Sequence, residues 1–545
     1  MPSISQSLDK KLKALADADA KIGIRARFNG HPARAEYFSY KAESFFLDLS
    51  KTHISEELIQ VYQSYCREID FSGFRHALFS GKKINLSEQR SVLHTLLRNP
   101  ENQGITMESD DLLAQGLEAE TQFFQQYESI QKRLAQRDVA IKHIIHVGIG
   151  GSALGPKLVF EALKSLEADI DIYFVGNIDA HELLAVLSQC DPAATLVVGV
   201  SKTFTTAETL KNLDSVADWL RQAGVERPKT NLIAVTANPA KAVEYGITDS
   251  NVVAFPTWVG GRYSVWSSVS LSVVLVIGLP AFKELLRGAA KMDEHFYHAE
   301  LDQNLPFLTA AMDHYYVNYF AAGSRAIFAY DYRLRSLVDY LQQLETESNG
   351  KDRQRNGEPV DQLTAPVVWG GVGTDVQHSV FQMLHQGTSL IPSEFILVKN
   401  ADHHLVDHHQ ELLANGLAQT AALLAGQDKE MVNKLHAEEK LSEKAILAKQ
   451  FSGDRPSTTI LLDRLTPFCL GQLLALYEHR TFCFGALTSI NSYDQMGVEL
   501  GKRLAKSIEP MLAHGVSEND NEQMQKRVEE LDSSTRQLLA KILSQ

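Results

Sequence analysis

From Lys142 onward the chain alternates short runs of apolar, largely β-branched residues with longer stretches whose apolar positions recur at helical spacing. That is the pattern of parallel sheets covered by helices. The spacing predicts strands at 143–147, 172–175, 195–200, 231–235 and 252–255. After a helix-rich stretch the alternation repeats, with strands at 326–330, 365–370, 395–398 and 458–462, each followed by helical sequence. The fold class is therefore α/β, with two doubly wound α/β/α sandwich domains in tandem, expected at 121–285 and 286–510. Residues 1–120 read mostly as helices that need a sheet to pack on, with FSGKKIN at 79–85 as a turn or short extended piece. Residues 511–545 read as a polar arm, with Ser534 placed to cap a final apolar-periodic segment, lying on the surface or across a partner subunit. The most apolar stretch, VSLSVVLVIGL at 269–279, falls short of the ~18 residues that span a bilayer and reads as a buried helix.

A chain of 545 residues is too long for one core, which agrees with more than one domain. Its 44% apolar and 22% charged residues are ordinary for a globular protein, and no low-complexity tract or solenoid repeat interrupts them. The formal net charge of -14 argues against nucleic acid as a partner, because such binders need a basic face to displace counterions. An anionic small substrate needs a local basic pocket instead. The polar N-terminal MPSISQSLDKKLKAL lacks the apolar centre of a signal peptide, so no membrane association is expected. Four cysteines without a C-x-x-C pair fit a reducing cytoplasm.

Two strand ends carry unusual chemistry. After the strand at 143–147 comes VGIGGSALGP, in which Gly148, Gly150 and Ala153 fit the dinucleotide fingerprint G-x-G-x-x-G/A. After the strand at 195–200 comes SKTFTTAET, where Ser201, Thr203, Thr205 and Thr206 offer hydroxyls around Lys202 at a helix start. A pyrophosphate on the glycines leaves the hydroxyls idle, and Asp179 is poorly placed for a ribose. A phosphate monoester can use both ends, held by hydroxyls, backbone N–H groups and a helix N-terminus. The bland reading is that the hydroxyls only cap a helix.

Further along, TWVGGRYSVWSSVS places Arg262 beside Gly260 and Gly261, where a fixed cation can meet a ligand or simply form an ion pair. In QQLETESNGK, Glu347 ends a helix predicted from about Tyr332, at a corner where a carboxylate can act as a base or be merely solvated. VQHSVFQMLHQGT reads as an amphipathic helix with His378 and His385 on nearly one face, either able to handle a proton near neutrality. Gln495 and Lys502 fall two turns apart on a helix in YDQMGVELGKRLAKSIEP. His404 and His408 have metal-ligand spacing, but no glutamate of H-E-x-x-H accompanies them, and Asp402 suits a helix cap. No metal and no P-loop or G-x-S-x-G chemistry is expected.

In this order, VGIGGSALGP, SKTFTTAET, VGGRYSVWSS, ESNGK, QHSVFQMLHQGT and DQMGVELGK resemble the glucose-6-phosphate isomerase (phosphoglucose isomerase) family, as do FSGKKINLSEQRSVLHTLLRN and DHHQELLANGLAQT. The likeness runs from about Phe79 to about Pro510. It implies a cytoplasmic homodimer of sugar-isomerase-type domains that interconverts glucose 6-phosphate and fructose 6-phosphate, in glycolysis and gluconeogenesis, without a cofactor. By resemblance, Gly151 and Ser152 line the sugar, and Ser201, Lys202 through its backbone, Thr203 and Thr206 hold the phosphate. Glu347 matches the base that moves a proton between C2 and C1, and Arg262 the cation facing the enediol. His385, delivered by the neighbouring subunit, and Lys502 match the ring-opening pair; Gln343 and Gln495 match substrate-contacting amides. The residue types suit the chemistry: a weak carbon acid needs a close base and a fixed cation, and a hemiacetal needs an acid and a base.

This chain departs from the family pattern at Ala153, where Asp is usual, and at Gly371, Val372, Asp375 and Val376 in WGGVGTDVQH. None of these positions carries an assigned role. Two rival readings remain at this level. A nicotinamide-dependent dehydrogenase needs the fingerprint to bind a dinucleotide; a non-catalytic sugar-phosphate sensor has no need of Glu347, His385 and Lys502 together.

Overall fold

The computed structural model describes residues 4–99, 105–439, 441–514 and 530–544. It divides into a unit spanning Met1–Tyr493, which holds both sheets, and a unit spanning Asp494–Gln545.

The first sheet has five parallel strands: β3 (His143–Val147), β4 (Asp171–Val175), β5 (Thr195–Val200), β6 (Ile233–Thr236) and β7 (Val252–Ala254), in the order β4-β3-β5-β6-β7. Every residue of β5 is buried, as expected of a continuous apolar run in a sheet covered on both faces. The strand order reverses between β3 and β5. Successive crossovers therefore leave on opposite faces there and open a crevice at the carboxyl ends of these two strands. VGIGGS and SKTFTT both follow directly from that crevice.

The second sheet has six strands, ordered β1-β2-β11-β10-β8-β9, from β1 (Ser39–Ala42), β2 (Phe45–Asp48), β8 (Ser324–Tyr330), β9 (Val367–Val372), β10 (Ser393–Val398) and β11 (Ser457–Leu462). The last four are parallel, while β1 and β2 form a hairpin that adds antiparallel to β11. This hairpin lies in a stretch that reads as helical from sequence. Its strands are four residues each, too short for periodicity to register, and the turn relies on Glu43 in a left-handed conformation (φ 50°). Phe45 and Leu47 face the core and Phe46 faces out, so the alternation exists but is brief.

Helix Pro467–Leu487 is buried nearly all round, with every residue from Cys469 to Leu487 buried. It packs along helices Leu279–His298 and Leu305–Tyr319. A helix buried all round has no solvated face for its charges, so Glu478 and Arg480 must be paired internally. Arg98 and His94 meet Glu478, and Arg480 binds Asp313 through two nitrogens at 2.6 and 2.7 Å.

Several local expectations change. The apolar stretch at 269–279 is a 3-10 turn, Ser268–Ser270, then helix Leu271–Ile277, broken at Gly278 (φ 82°) before the next helix. The helix expected at 376–388 is split into a 3-10 turn Asp375–His378 and helix Phe381–Gln386, so His378 and His385 do not share one helical face. Asp402 is ion-paired with Arg333, and helix Val406–Ala425 starts after Leu405 instead. Helix Ser533–Leu543 is capped by Asp532, whose carboxylate accepts from the N–H groups of Ser534 and Thr535; most of the stretch before it lies outside the described residues. Among the described residues no helix is long and apolar enough to cross a membrane.

Candidate active site

The glycine loop leaves β3 as a 3-10 turn, Gly150–Ser152. Gly150 takes a left-handed conformation (φ 57°), and the Gln343 amide nitrogen would lie 2.9 Å from a Cβ there. A Cβ on Gly151 would collide with the carbonyl of Gly261. These glycines let two loops and a helix meet. Ser152 is held from below by His146 of β3: its carbonyl lies 2.7 Å from Nε2, and Ser272 Oγ lies 2.6 Å from Nδ1. A carbonyl only accepts, so Nε2 carries the proton and Nδ1 accepts from Ser272. Burial pushes the His146 pKa down to about 4, which keeps the ring neutral and that tautomer fixed at neutral pH.

The hydroxyl loop leaves β5 and reverses at Phe204, a non-glycine residue in the left-handed region (φ 52°) whose ring is buried against Tyr245. Ser201 Oγ accepts from the Phe204 N–H at 3.1 Å and lies 3.0 Å from Thr206 Oγ1. Thr203 and Thr205 pair at 2.7 Å on the exposed side. Thr206 caps helix Ala207–Gln222 without taking a helix N–H with its side chain. The 16-residue helix thus begins at the end of a loop that carries four hydroxyls, an arrangement chemically suited to an anion.

Glu347 ends a segment that sequence reads as one helix from Tyr332. The structure resolves it into a 3-10 turn Tyr332–Leu334, helix Leu337–Gln342 and a π-helical turn Gln343–Glu347. Such a turn is rare and swings side chains off the regular helical face. The Glu347 carboxylate sits 3.2 Å from Arg262 Nη1 and accepts from Gln343 Nε2 at 2.8 Å. The buried Arg262 is fixed on its other edges: Nε donates to Ser348 Oγ at 2.7 Å and Nη2 to the Ser492 carbonyl at 2.6 Å. Tyr263 OH reaches the same Ser348 hydroxyl at 3.0 Å. A rigid guanidinium and a partly exposed carboxylate thus share one corner beside the glycine loop.

A buried charge cluster anchors the π-helical turn. Glu345, two residues before Glu347, pairs with Arg325 of β8; Asp313 and Glu394 lie 3.7 and 3.6 Å from that guanidinium. Arg480 binds Asp313 and Glu394, and Tyr477 donates to Glu394. Burial pushes the Glu345 carboxyl up, opposed by the two arginines.

The structure therefore gathers Gly151, Ser152, Arg262, Gln343 and Glu347 at one corner. Ser201, Lys202, Thr203 and Thr206 form the loop at the adjacent strand end. His385 is bonded elsewhere, with Nε2 3.2 Å from Gln419 Oε1 and its ring near Phe381 and Phe451. Gln495 and Lys502 belong to the second unit. Gln495 precedes the 3-10 turn Met496–Val498 and so is not on the helix of Lys502, which pairs with Glu499 at 3.1 Å in helix Glu499–His514. Sequence reasoning passed over His146, Glu345, Ser348 and Ser492. Ser348 stands next to Glu347 in the quoted motif; Glu345 lies in the polar stretch QQLETES, and Ser492 acts through its carbonyl and leaves no sequence signal.

A family profile described as phosphoglucose isomerase matches residues 48–539. The chain belongs to this family. Among relatives, a glucose-6-phosphate isomerase of Rhizorhabdus wittichii is 44% identical over 531 residues, covering 97% of this chain and 98% of the relative. One of Zymomonas mobilis subsp. mobilis is 44% identical over 467 residues, covering 85% of this chain and 86% of the relative. The crystal structure of a glucose-6-phosphate isomerase from Chlamydia trachomatis superposes with a TM-score of 0.82 at 29% identity, covering 95% of this chain and 97% of that one. Membership of the phosphoglucose isomerase family accounts for both sheets, since the likeness to a solved member spans nearly the whole chain.

Proposed function

We propose that the chain interconverts glucose 6-phosphate and fructose 6-phosphate by proton transfer between C2 and C1, and that Glu347 is the base. The observation that carries this reading is the Glu347–Arg262 pair, at 3.2 Å, beside a glycine loop and one strand away from the hydroxyl loop.

The phosphate is held by the hydroxyls of Ser201, Thr203 and Thr206, the Lys202 backbone N–H and the start of helix Ala207–Gln222. Gly151, Ser152, Gln343 and Gln495 contact the sugar. His385 of a second copy, in a homodimer, and Lys502 exchange the protons that open the ring. With the chain open, the Glu347 carboxylate removes the proton from C2; the electron pair forms the C1–C2 double bond, and the carbonyl oxygen on C1 becomes the enediolate oxygen. Arg262 faces that charge from a fixed position, so little reorganisation is needed as it develops. The C1 oxygen takes a proton, the C2 hydroxyl loses one as the C2 carbonyl forms, and Glu347 returns its proton to C1. Domain boundaries at 120, 285 and 510 and a cytoplasmic location complete the proposal.

Production of glucose 6-phosphate from fructose 6-phosphate, with no metal or nucleotide added and a separate dehydrogenase reporting the product, tests this reading. Fast turnover that persists in chelator supports it. Tight binding without turnover in the wild type would favour a sugar-phosphate sensor. Glu347→Gln is expected to bind the substrate and lose proton transfer; wild-type turnover in that variant would end the assignment of the base.

A further inference from the structure

We propose that the side chain of Lys202 is a positioning residue, coupling the phosphate loop to the turn that carries Arg262. This rests on the isomerase reading above and assigns a role within it to a side chain whose backbone alone was tied to the phosphate.

Lys202 has two attachments. Its carbonyl accepts from the Ala237 N–H at 3.0 Å and from Thr236 Oγ1 at 3.1 Å, which ties the phosphate loop to the end of β6. Its side chain runs the other way, and Nζ donates to the carbonyl of Val259 at 2.8 Å. Val259 is fully buried and stands three residues before Arg262. The turn between them is stiff: the Tyr263 N–H donates to the Gly260 carbonyl at 3.1 Å, and Gly261 is pressed against Gly151. One residue thus has its main chain among the hydroxyls and its ammonium on the support of the guanidinium that pairs with Glu347.

The arrangement is costly for the fold alone. An ammonium drawn partly out of water and given a neutral carbonyl recovers only part of its lost hydration, and an apolar side chain of similar length would avoid that penalty. The charged groups facing it are Arg90, which opposes the ammonium, and Glu88, which favours it; burial is the larger effect and brings the Lys202 pKa down to about 8. A phosphate settling on the loop fixes the Lys202 main chain, and with it the stem from which Nζ reaches the Val259 carbonyl. Occupation of the phosphate site and the fixing of Arg262 are then linked through one side chain.

The test compares the full-length wild type with Lys202→Met and Lys202→Arg, reading kcat and KM for fructose 6-phosphate and the affinity for inorganic phosphate. Lys202→Met is expected to lose at least tenfold in kcat while phosphate affinity stays within threefold, because backbone and hydroxyl donors remain. Lys202→Arg is expected to recover most of kcat. Wild-type kcat/KM should fall above pH 8, where the free enzyme loses the Lys202 charge, and Lys202→Arg should lack that fall because arginine stays protonated. The proposal is overturned if Lys202→Met keeps kcat within twofold, if kcat and phosphate affinity collapse together, or if Lys202→Arg shows the same alkaline fall. Should Lys202→Met fail to fold, the pH profile of Lys202→Arg decides alone. A wild type that turns over neither sugar phosphate overturns the isomerase reading along with this one, whereas an active wild type with undivided losses overturns only this one.

Discussion

Replacing Arg262 by lysine keeps a positive charge at the candidate site and removes the fork that aims it. In the native structure three nitrogens have separate tasks: Nε on Ser348, Nη2 on the Ser492 carbonyl and Nη1 toward Glu347. A single ammonium on a flexible stem cannot serve all three directions. Losing one preorganised donor to a developing oxyanion costs roughly 10²–10³ in kcat, or about 2.7–4 kcal/mol. Because lysine retains the charge, the lower end applies, about a hundredfold. Stability should fall as well. Ser348 keeps Tyr263 as a partner, but the Ser492 carbonyl loses its Arg262 donor in a buried place, a penalty of about 1–3 kcal/mol. Initial rates of glucose 6-phosphate formation give the first figure, and thermal unfolding of both proteins gives the second. A variant within fivefold of wild-type kcat would refute the argument that fork geometry, and not charge alone, makes the site.

The remaining predictions concern supports of the same corner. Glu345→Gln leaves Arg325 with only the longer contacts to Asp313 and Glu394, so the melting temperature should drop; the cost is at or below the lower end of the ~3–5 kcal/mol for breaking a buried pair. Because Glu345 lies on the π-helical turn of Glu347, kcat should drop too; a stability loss with unchanged kcat would show that the cluster does not position Glu347. Gly151→Ala places a methyl against the Gly261 carbonyl and should reduce kcat far more than it lowers the melting temperature; equal activity would mean that the two loops are not packed as described. Acid should destabilise the protein well before carboxylates titrate. Burial holds His53 at about 3 and His146 and His314 at about 4, against an ordinary value near 6.5, so the unfolded chain takes up protons that the folded one refuses. Stability is thus complete above pH 6.5 and is lost progressively as the pH falls toward 4; a melting temperature constant over that interval would contradict the neutral, buried state of these rings.

The parallel strands from His143 to Leu462 were legible because they are short apolar runs bounded by turn residues; β5 and β10 are buried throughout and leave a signal that depends on the segment alone, while the edge strands β4 and β9 are partly exposed. The same holds for the hydroxyl loop, the glycine loop, Arg262 and Glu347: their residue types state a chemistry before any contact is known. The hairpin Ser39–Ala42 and Phe45–Asp48 was not legible, because its stability comes from β11, more than four hundred residues away. Nor was the π-helical turn at Gln343–Glu347, which a buried pairing of Glu345 with Arg325 across the fold helps to fix, or the split of the helix that carries His385.

Local sequence thus determined the elements and the inventory of reactive groups, since propensity and hydrophobic period act over a few residues. The tertiary structure decided which of those groups face one another. The reversal of strand order between β3 and β5 brings two distant loops to one crevice, and a buried carbonyl at Ser492 or Val259 becomes a partner only when the chain has folded around it.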